Sequence, residues 1–93
     1  MLVQVFPTPN PNAHKFTLPG VRFERSFNFP SVESASAHPL AASLFEVGGV
    51  YNVLLAQDFV TVNKLPDVDW EVLDPVLIER IQSWLERQPS SQP

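Results

Sequence analysis

Hydrophobic and polar residues alternate in the first third of the chain with the two-residue period of a β-strand. The runs at residues 14–18 and 21–29 show this alternation, and an earlier run at residues 2–6 is rich in β-forming residues. The prolines and asparagines of residues 7–12 separate the first two runs, because proline removes a backbone donor and fixes φ. Pro19-Gly20 is a turn signature after the second run, and Pro30 stops the third. We therefore predict three strands in this region.

The middle of the chain changes to a helical period and then returns to strands. A small, polar connector at residues 31–37 precedes Pro39, whose ring suits the first position of a helix. The glycines at 48–49 end that helix. Residues 50–56 and 59–64 are rich in β-formers and are separated by only a short link, which predicts an antiparallel hairpin.

The last third of the chain carries two signals for the start of a helix. Asp69 is a plausible cap for a first turn, and Asp74-Pro75 is typical of a second cap followed by a proline in the first position. Proline inside a helix removes a hydrogen bond and collides with the preceding turn. We therefore predict a short turn, a kink and a main helix over residues 75–86.

Together these elements predict an α+β fold in the order βββαββα, with about five mainly antiparallel strands and two helices. Packing both helices on one face of the sheet buries the apolar side of every strand. A chain of 93 residues supports one hydrophobic core. We assign residues 1–88 to a single domain and residues 89–93 to a frayed polar tail.

Composition and charge exclude several classes of partner. Ten acidic residues against six basic ones give a net charge of −4, and the basic residues do not cluster, so nucleic acid is not an expected partner. No apolar run approaches the roughly 20 residues of a membrane helix, and the chain does not start like a signal peptide. We expect no membrane contact and a cytoplasmic location.

The side chains offer little catalytic or metal-binding chemistry. Cysteine is absent, which removes disulfides, thiol catalysis and thiolate ligands. His14 and His38 lie far apart and are interpreted as structural residues. The four acids between residues 67 and 74 fit no calcium loop, and their position before a helix favours capping. We predict no catalytic residues and no metal ligands.

The stretch Thr8-Pro9-Asn10-Pro11-Asn12 has two interpretations. Asparagine side chains lock turns by bonding nearby backbone, so the stretch could be only a rigid connection between strands. Alternatively, a loop stiffened by prolines could dock a partner at small ordering cost. The second interpretation predicts a partner-binding surface. Its residues are Asn10, Asn12, Lys15 and Phe16.

The same stretch opens a set of motifs that spans residues 2–85. The motifs are TPNPNAHKF at 8–16, PLA at 39–41, LF at 44–45, GV at 49–50, DFVTV at 58–62 and DW at 69–70. In these motifs the chain closely resembles the N-terminal domain of the Nfu/NifU-like iron–sulfur scaffold proteins. In that family the domain is usually coupled to a second domain, whose CxxC motif carries an iron–sulfur cluster.

The resemblance implies a role beside the cluster chemistry. These 93 residues contain no CxxC motif, so we expect a stand-alone domain that is not an enzyme and binds no cofactor alone. It would meet an iron–sulfur cluster only through a partner: an assembly protein, a recipient protein or a separate CxxC-bearing scaffold. The family is also associated with iron binding, for which the sequence supplies no complete ligand set.

Two alternatives to this interaction module stay open at the level of sequence. The first is a small-ligand or anion-binding domain, in which loop amides and Lys15 capture a phosphate or carboxylate. The second is an enzyme that uses its acids and histidines. It ranks last, because the spacing assembles no paired acid and base and no oriented nucleophile.

Overall fold

The computed structural model describes residues 3–88, which form five strands and three helices. The α+β class and the order βββαββα are confirmed, with two long helices and one additional short one. The tail predicted at 89–93 lies outside the described residues. The elements are β1 (Val5–Pro7), β2 (Ala13–Thr17), β3 (Phe27–Phe29), α1 (Val32–Ala35), α2 (Pro39–Glu46), β4 (Val50–Ala56), β5 (Phe59–Lys64) and α3 (Trp70–Glu86).

The five strands form one sheet in the order β1-β2-β5-β4-β3, and every neighbouring pair is antiparallel. The predicted hairpin is therefore confirmed as β4-β5. Two rows of paired residues cross the sheet on the side that faces the helices. They are Val5, Phe16, Val60, Leu55 and Phe27, and then Pro7, His14, Val62, Val53 and Phe29.

The core lies between these rows and the two long helices. Leu40 and Leu44 of α2, and Leu77 and Ile81 of α3, are completely buried in the same cluster as the central strand residues. Each pair is spaced by four residues, so each helix presents one apolar side to the sheet. This packing confirms the predicted arrangement of helices on one face of the sheet.

The third predicted strand is much shorter than expected. Only Phe27–Phe29 pairs with β4, and residues 21–26 lie outside the ladder. The register explains the difference: Phe27 lies opposite Leu55, and β4 ends one residue later. The preceding residues therefore have no strand left to pair with. A single bond, from the Phe23 amide to the Gln57 carbonyl at 2.7 Å, links them to the hairpin turn.

The polar connector at residues 31–37 contains α1, which the small, polar composition of the segment did not predict. Ser31 caps it in a reciprocal arrangement with Ser34: the Ser31 hydroxyl accepts from the Ser34 amide, and the Ser34 hydroxyl accepts from the Ser31 amide. Two orphan amides at the start of the helix are thereby satisfied.

The predicted interruption before Pro75 is wrong, because α3 is one continuous helix from Trp70. Pro75 forfeits only the bond to the Glu71 carbonyl. Both residues are exposed, so water can solvate that carbonyl. Asp69 occupies the cap position without a side-chain cap bond, and Asp74 is not a cap but a hydrogen-bond partner of His14, described below.

His38 is the N-terminal cap of α2, in agreement with the prediction from its position before Pro39. Its Nδ1 accepts a hydrogen bond from the Leu40 amide at 3.2 Å, which requires that nitrogen to be unprotonated. Burial lowers the pKa of His38, because desolvation disfavours the charged ring. Four aromatic rings surround it at centroid distances of 5.9 to 6.3 Å: Phe23, Phe27, Phe29 and Trp84.

This environment predicts that acid destabilises the domain through His38. The folded state binds fewer protons than the unfolded state, so the stability is fully present above the ordinary pKa of 6.5 and is lost as the pH falls through the lowered folded-state pKa. Asn in place of His38 keeps a capping acceptor that does not titrate. Urea unfolding at about pH 7.5 and about pH 5.5 should show a smaller pH effect in His38→Asn than in the unchanged protein. Equal pH effects in the two proteins would contradict the assignment.

Gly48 and Gly49 turn the chain from α2 into β4 with φ values of 89° and 81°. A Cβ added at Gly49 would meet Val68 Cγ2 at 3.1 Å, whereas one added at Gly48 would meet nothing within 4 Å. The Gly49 carbonyl also accepts from the Leu65 amide at 2.8 Å, on the segment that leads into α3. Gly49 therefore fixes both the backbone turn and the approach of that segment.

The two glycines form a matched pair for mutation. Gly48→Ala should cost about 1 to 2 kcal/mol for the left-handed conformation alone. Gly49→Ala should cost about 1 kcal/mol more, because Val68 must also move. Denaturant unfolding of the two variants checks the difference. Equal losses would show that Val68 yields without cost.

Candidate interaction site

The proline–asparagine loop, residues 8–12, is held by its own side chains. The Thr8 hydroxyl accepts from the Asn10 amide at 3.1 Å and can donate to the carbonyl of Asn10 or of Ala13, each at 2.9 Å. Asn10 Oδ1 accepts from the Asn12 amide at 2.9 Å, and the Asn10 carbonyl accepts from the Ala13 amide at 3.0 Å. The backbone amides of Asn10, Asn12 and Ala13 therefore already donate hydrogen bonds within the protein and are not available to bind an anion.

Lys64 fastens the end of the loop to β5. Its backbone amide donates to the Asn12 carbonyl at 2.8 Å, and its Nζ donates to Asn12 Oδ1 at 3.0 Å and to the Leu65 carbonyl at 3.3 Å. The Lys64 residue is only 6% exposed. A buried ammonium needs such partners, because its desolvation is costly. Asn12 therefore has a structural role in its side chain as well as in its backbone.

Trp70, at the start of α3, fastens the other side of the loop. Its indole Nε1 donates to the Pro11 carbonyl at 2.9 Å, and its ring stacks on His14 with centroids 3.8 Å apart and planes inclined by 7°. His14 Nδ1 lies 3.1 Å from Asp74 Oδ1, one helical turn further along α3. The carboxylate accepts, so this nitrogen of the ring carries a proton. These contacts join the loop, β2 and α3 into one unit.

The four predicted contact residues do not share one surface. Asn10 is exposed at the tip of the loop, and Asn12 is half-buried against Lys64. Lys15 is exposed, with its Nζ 4.5 Å from the centroid of the Phe59 ring on the side of the sheet away from the helices. Phe16 is 0% exposed and lies in the core, because alternation along β2 turns it inward. Its predicted place on a binding surface is therefore wrong.

Three residues of this unit were not singled out as anchors from the sequence. Lys64 lies on the same side of β5 as Val60 and Val62. A charged residue at an apolar position of an alternating strand is the sequence signal that could have identified it as an anchor. Trp70 and Asp74 carry no comparable signal. Trp70 contacts Pro11 of the loop and Asp74 contacts His14 of β2, 59 and 60 positions away in sequence, and only the folded chain brings these residues together.

The described residues do not assemble a metal centre. Within residues 3–88 no group of three or more histidine, cysteine, aspartate or glutamate side chains converges to hold a metal ion. His14 and His38 serve packing and capping in the geometry above, and the sequence contains no thiolate donor for a cluster. The donor set therefore does not fit an iron–sulfur cluster.

The family model described as "Scaffold protein Nfu/NifU N terminal" matches residues 3–88. The chain belongs to this family. It is 40% identical over 86 residues to NifU-like protein 4, mitochondrial, of Arabidopsis thaliana, with 90% of this chain and 30% of that protein covered. It is 41% identical over 78 residues to the Drosophila willistoni NFU1 iron-sulfur cluster scaffold homolog, mitochondrial, with 81% of this chain and 27% of that protein covered. The domain thus spans less than a third of each of these relatives.

Solved structures share the fold of this Nfu/NifU N-terminal domain. The NifU-like protein of Saccharomyces cerevisiae superimposes with a TM-score of 0.80 at 28% identity, over 92% of this chain and 79% of that one. Protein SAV1430 of Staphylococcus aureus superimposes with a TM-score of 0.75 at 28% identity, over 86% of this chain and 98% of that one.

The relatives overturn the expected cytoplasmic location, because their names place them in mitochondria. The expectation rested on the lack of a signal peptide and of a membrane segment, and neither feature distinguishes the cytoplasm from the interior of an organelle. Among the helices of residues 3–88, none combines the length and the apolar character needed to cross a bilayer.

The Lys64–Asn12 contact predicts a difference between the two asparagines. Asn12→Ala leaves a buried ammonium without its side-chain partner and should cost about 1 to 3 kcal/mol of unfolding free energy. Asn10→Ala removes an exposed bond and should cost about 0.5 to 1.5 kcal/mol. Chemical denaturation of each variant measures these losses.

A double-mutant cycle separates the contact from other effects of Asn12. Lys64→Met removes the ammonium and keeps an unbranched chain of similar length. In that background Asn12→Ala should cost less than it does alone, because no buried donor is left unpaired. Strictly additive losses would contradict the assigned role of Lys64.

Proposed function

We propose that this domain is a non-catalytic protein-interaction module in iron–sulfur cluster assembly or delivery. Membership of the Nfu/NifU N-terminal family carries the proposal. The names of the relatives, which describe cluster scaffolds and NifU-like proteins of mitochondria, favour the same setting for this chain. Its partners are then assembly proteins, recipient proteins or a CxxC-bearing scaffold.

The chemistry of the side chains supports an accessory part in that process. A cluster is cargo that needs sulfur donors, and these 93 residues contain no cysteine. The two histidines are engaged in a stack and a cap, 24 positions apart in sequence. The cluster is therefore carried by the partner, and this domain contributes surface.

Asn10 and Lys15 are the two residues of the predicted contact set that supply that surface, because both are exposed. Asn12 contributes indirectly, because its side chain accepts a hydrogen bond from Lys64 and so holds the loop in place. The loop is ordered before a partner arrives, so binding through it costs little conformational entropy. A small-ligand role gains no support from the same loop, whose amides at residues 10, 12 and 13 are already bonded.

Reconstitution with iron and sulfide tests the proposal. The domain alone should develop no stable visible absorption, whereas a CxxC-bearing Nfu scaffold treated in the same way should. In a mixture, the domain should co-elute with the scaffold or with an iron–sulfur recipient protein, and all cluster absorption should belong to the partner. Lys15→Ala should weaken the association with little change in melting temperature, because it removes an exposed side chain. Asn10→Ala should weaken the association at temperatures where the variant is still fully folded, because its loss of stability is only about 0.5 to 1.5 kcal/mol.

A stable chromophore on the isolated domain would overturn this assignment of roles. So would a failure to associate with scaffold, assembly and recipient proteins at the concentrations found in cells. Asn12→Ala is the informative control: any loss of association should accompany the loss of stability measured for that variant.

A further inference from the structure

The sheet has a second face, which no helix of the described residues covers. We call it the outer sheet face, and define it as the strand side chains that alternate with the buried rows. A continuous row of paired positions crosses all five strands on this side. It consists of Phe6, Lys15, Thr61, Leu54 and Asn28. Flanking rows add Thr17, Phe59 and Ala56 on one side, and Ala13, Asn63 and Asn52 on the other.

Charge is nearly absent from the outer sheet face. Lys15 is its only charged side chain, and it holds no acid, although the chain as a whole carries a net charge of −4. Phe6 is 45% exposed, which is unusual for so large an apolar side chain. Depletion of charge together with an exposed aromatic side chain is typical of a protein–protein contact.

Lys15 lies on this face, on the strand next to the β1 edge, without an acidic partner among the described residues. Neither ion pair within residues 3–88 involves it, and its ammonium lies over the Phe59 ring instead. Because the surrounding positions are apolar or neutral, a carboxylate brought by a partner would meet this cation in partly desolvated surroundings. A pair formed there is worth more than one in open solvent.

The edges of the sheet are poorly suited to binding. The two edge strands, β1 and β3, have three residues each, and β1 ends in Pro7, which cannot donate to a ladder. A partner strand would gain few hydrogen bonds from either edge. Of the surfaces that the sheet itself offers, the outer face is therefore better suited to docking than either edge.

We propose that the outer sheet face binds an amphipathic helix of a partner protein, with apolar side chains on Phe6, Leu54 and Phe59 and a carboxylate on Lys15. The opposite face of the same sheet already packs helices of this kind, so its twist suits a helix. A second copy of this chain is the less favourable occupant. Two-fold pairing of this face would join two domains that each carry a net charge of −4.

This inference rests on the proposed function and specifies its interface. Photo-crosslinking tests it directly. Benzoylphenylalanine replaces Phe6, where one aromatic residue substitutes for another, and in a second protein it replaces Val72, which is 66% exposed on α3. Each protein is expressed at its native level, and the crosslinked peptides are sequenced. The position at Phe6 should capture a helical segment with apolar and acidic residues, and the position at Val72 should not capture it.

Charge reversal then establishes the contact with Lys15. With the captured protein purified, Lys15→Glu should weaken binding about tenfold, and exchanging the partner's carboxylate for lysine should restore it. The matched control is Arg87→Glu, which reverses an exposed cation at the end of α3 and should leave the affinity unchanged. Unfolding curves for both variants verify that the domain remains folded.

Several results would overturn the inference: no capture at Phe6 above the level at Val72, capture of this chain's own peptides, or an affinity indifferent to Lys15→Glu. Its failure is separable from that of the proposed function. Capture of a cluster-assembly protein only at Val72 would leave the function standing and remove this interface. Capture at Phe6 of an acidic helix from proteins unrelated to iron–sulfur clusters would do the reverse.

Discussion

Lys64 places an ammonium group at a position where the alternation of β5 requires an apolar side chain. It follows Val60 and Val62 on the inner side of the sheet, and it is buried almost as completely as they are. The two oxygens that accept hydrogen bonds from its Nζ are neutral, one on the Asn12 side chain and one on the Leu65 backbone. A desolvated cation with only neutral acceptors is stable only while those acceptors stay in place. The conformation of residues 8–12 is therefore coupled to the core.

The loop meets that requirement through local chemistry. Pro9 and Pro11 restrict the unfolded chain, so less entropy is lost when the loop orders. The Thr8 hydroxyl and the Asn10 carboxamide bond the backbone between the prolines. Trp70 then holds the Pro11 carbonyl from α3. The most distinctive motif of the sequence thus joins the sheet to a helix. The same contacts leave its tip exposed.

The sequence predicted those parts of the fold that depend on local periodicity. Strands β4 and β5 are rich in β-forming residues, and their predicted bounds match the observed ones. Residues 21–26 alternate as a strand does, but they lie beyond the end of β4, and the length of a partner strand is not a local property. Asp74-Pro75 predicted a helix boundary that the structure does not have. The cost of a proline inside a helix depends on whether water can reach the carbonyl that loses its hydrogen bond, and the local sequence does not show this. The anchor of Trp70, His14 and Asp74 could not be predicted, since it joins distant segments.

Three consecutive residues of β2 show how one strand separates stability from recognition. His14 and Phe16 point inward, the first against Trp70 and the second into the core, while Lys15 between them points to the uncovered side. A strand can contribute to two faces in this way because its side chains alternate. The motif around these residues therefore carries two constraints with different physical origins. Substitutions at the inward positions act through the folded population, and a substitution at Lys15 changes the uncovered side of the sheet, which is the proposed partner surface.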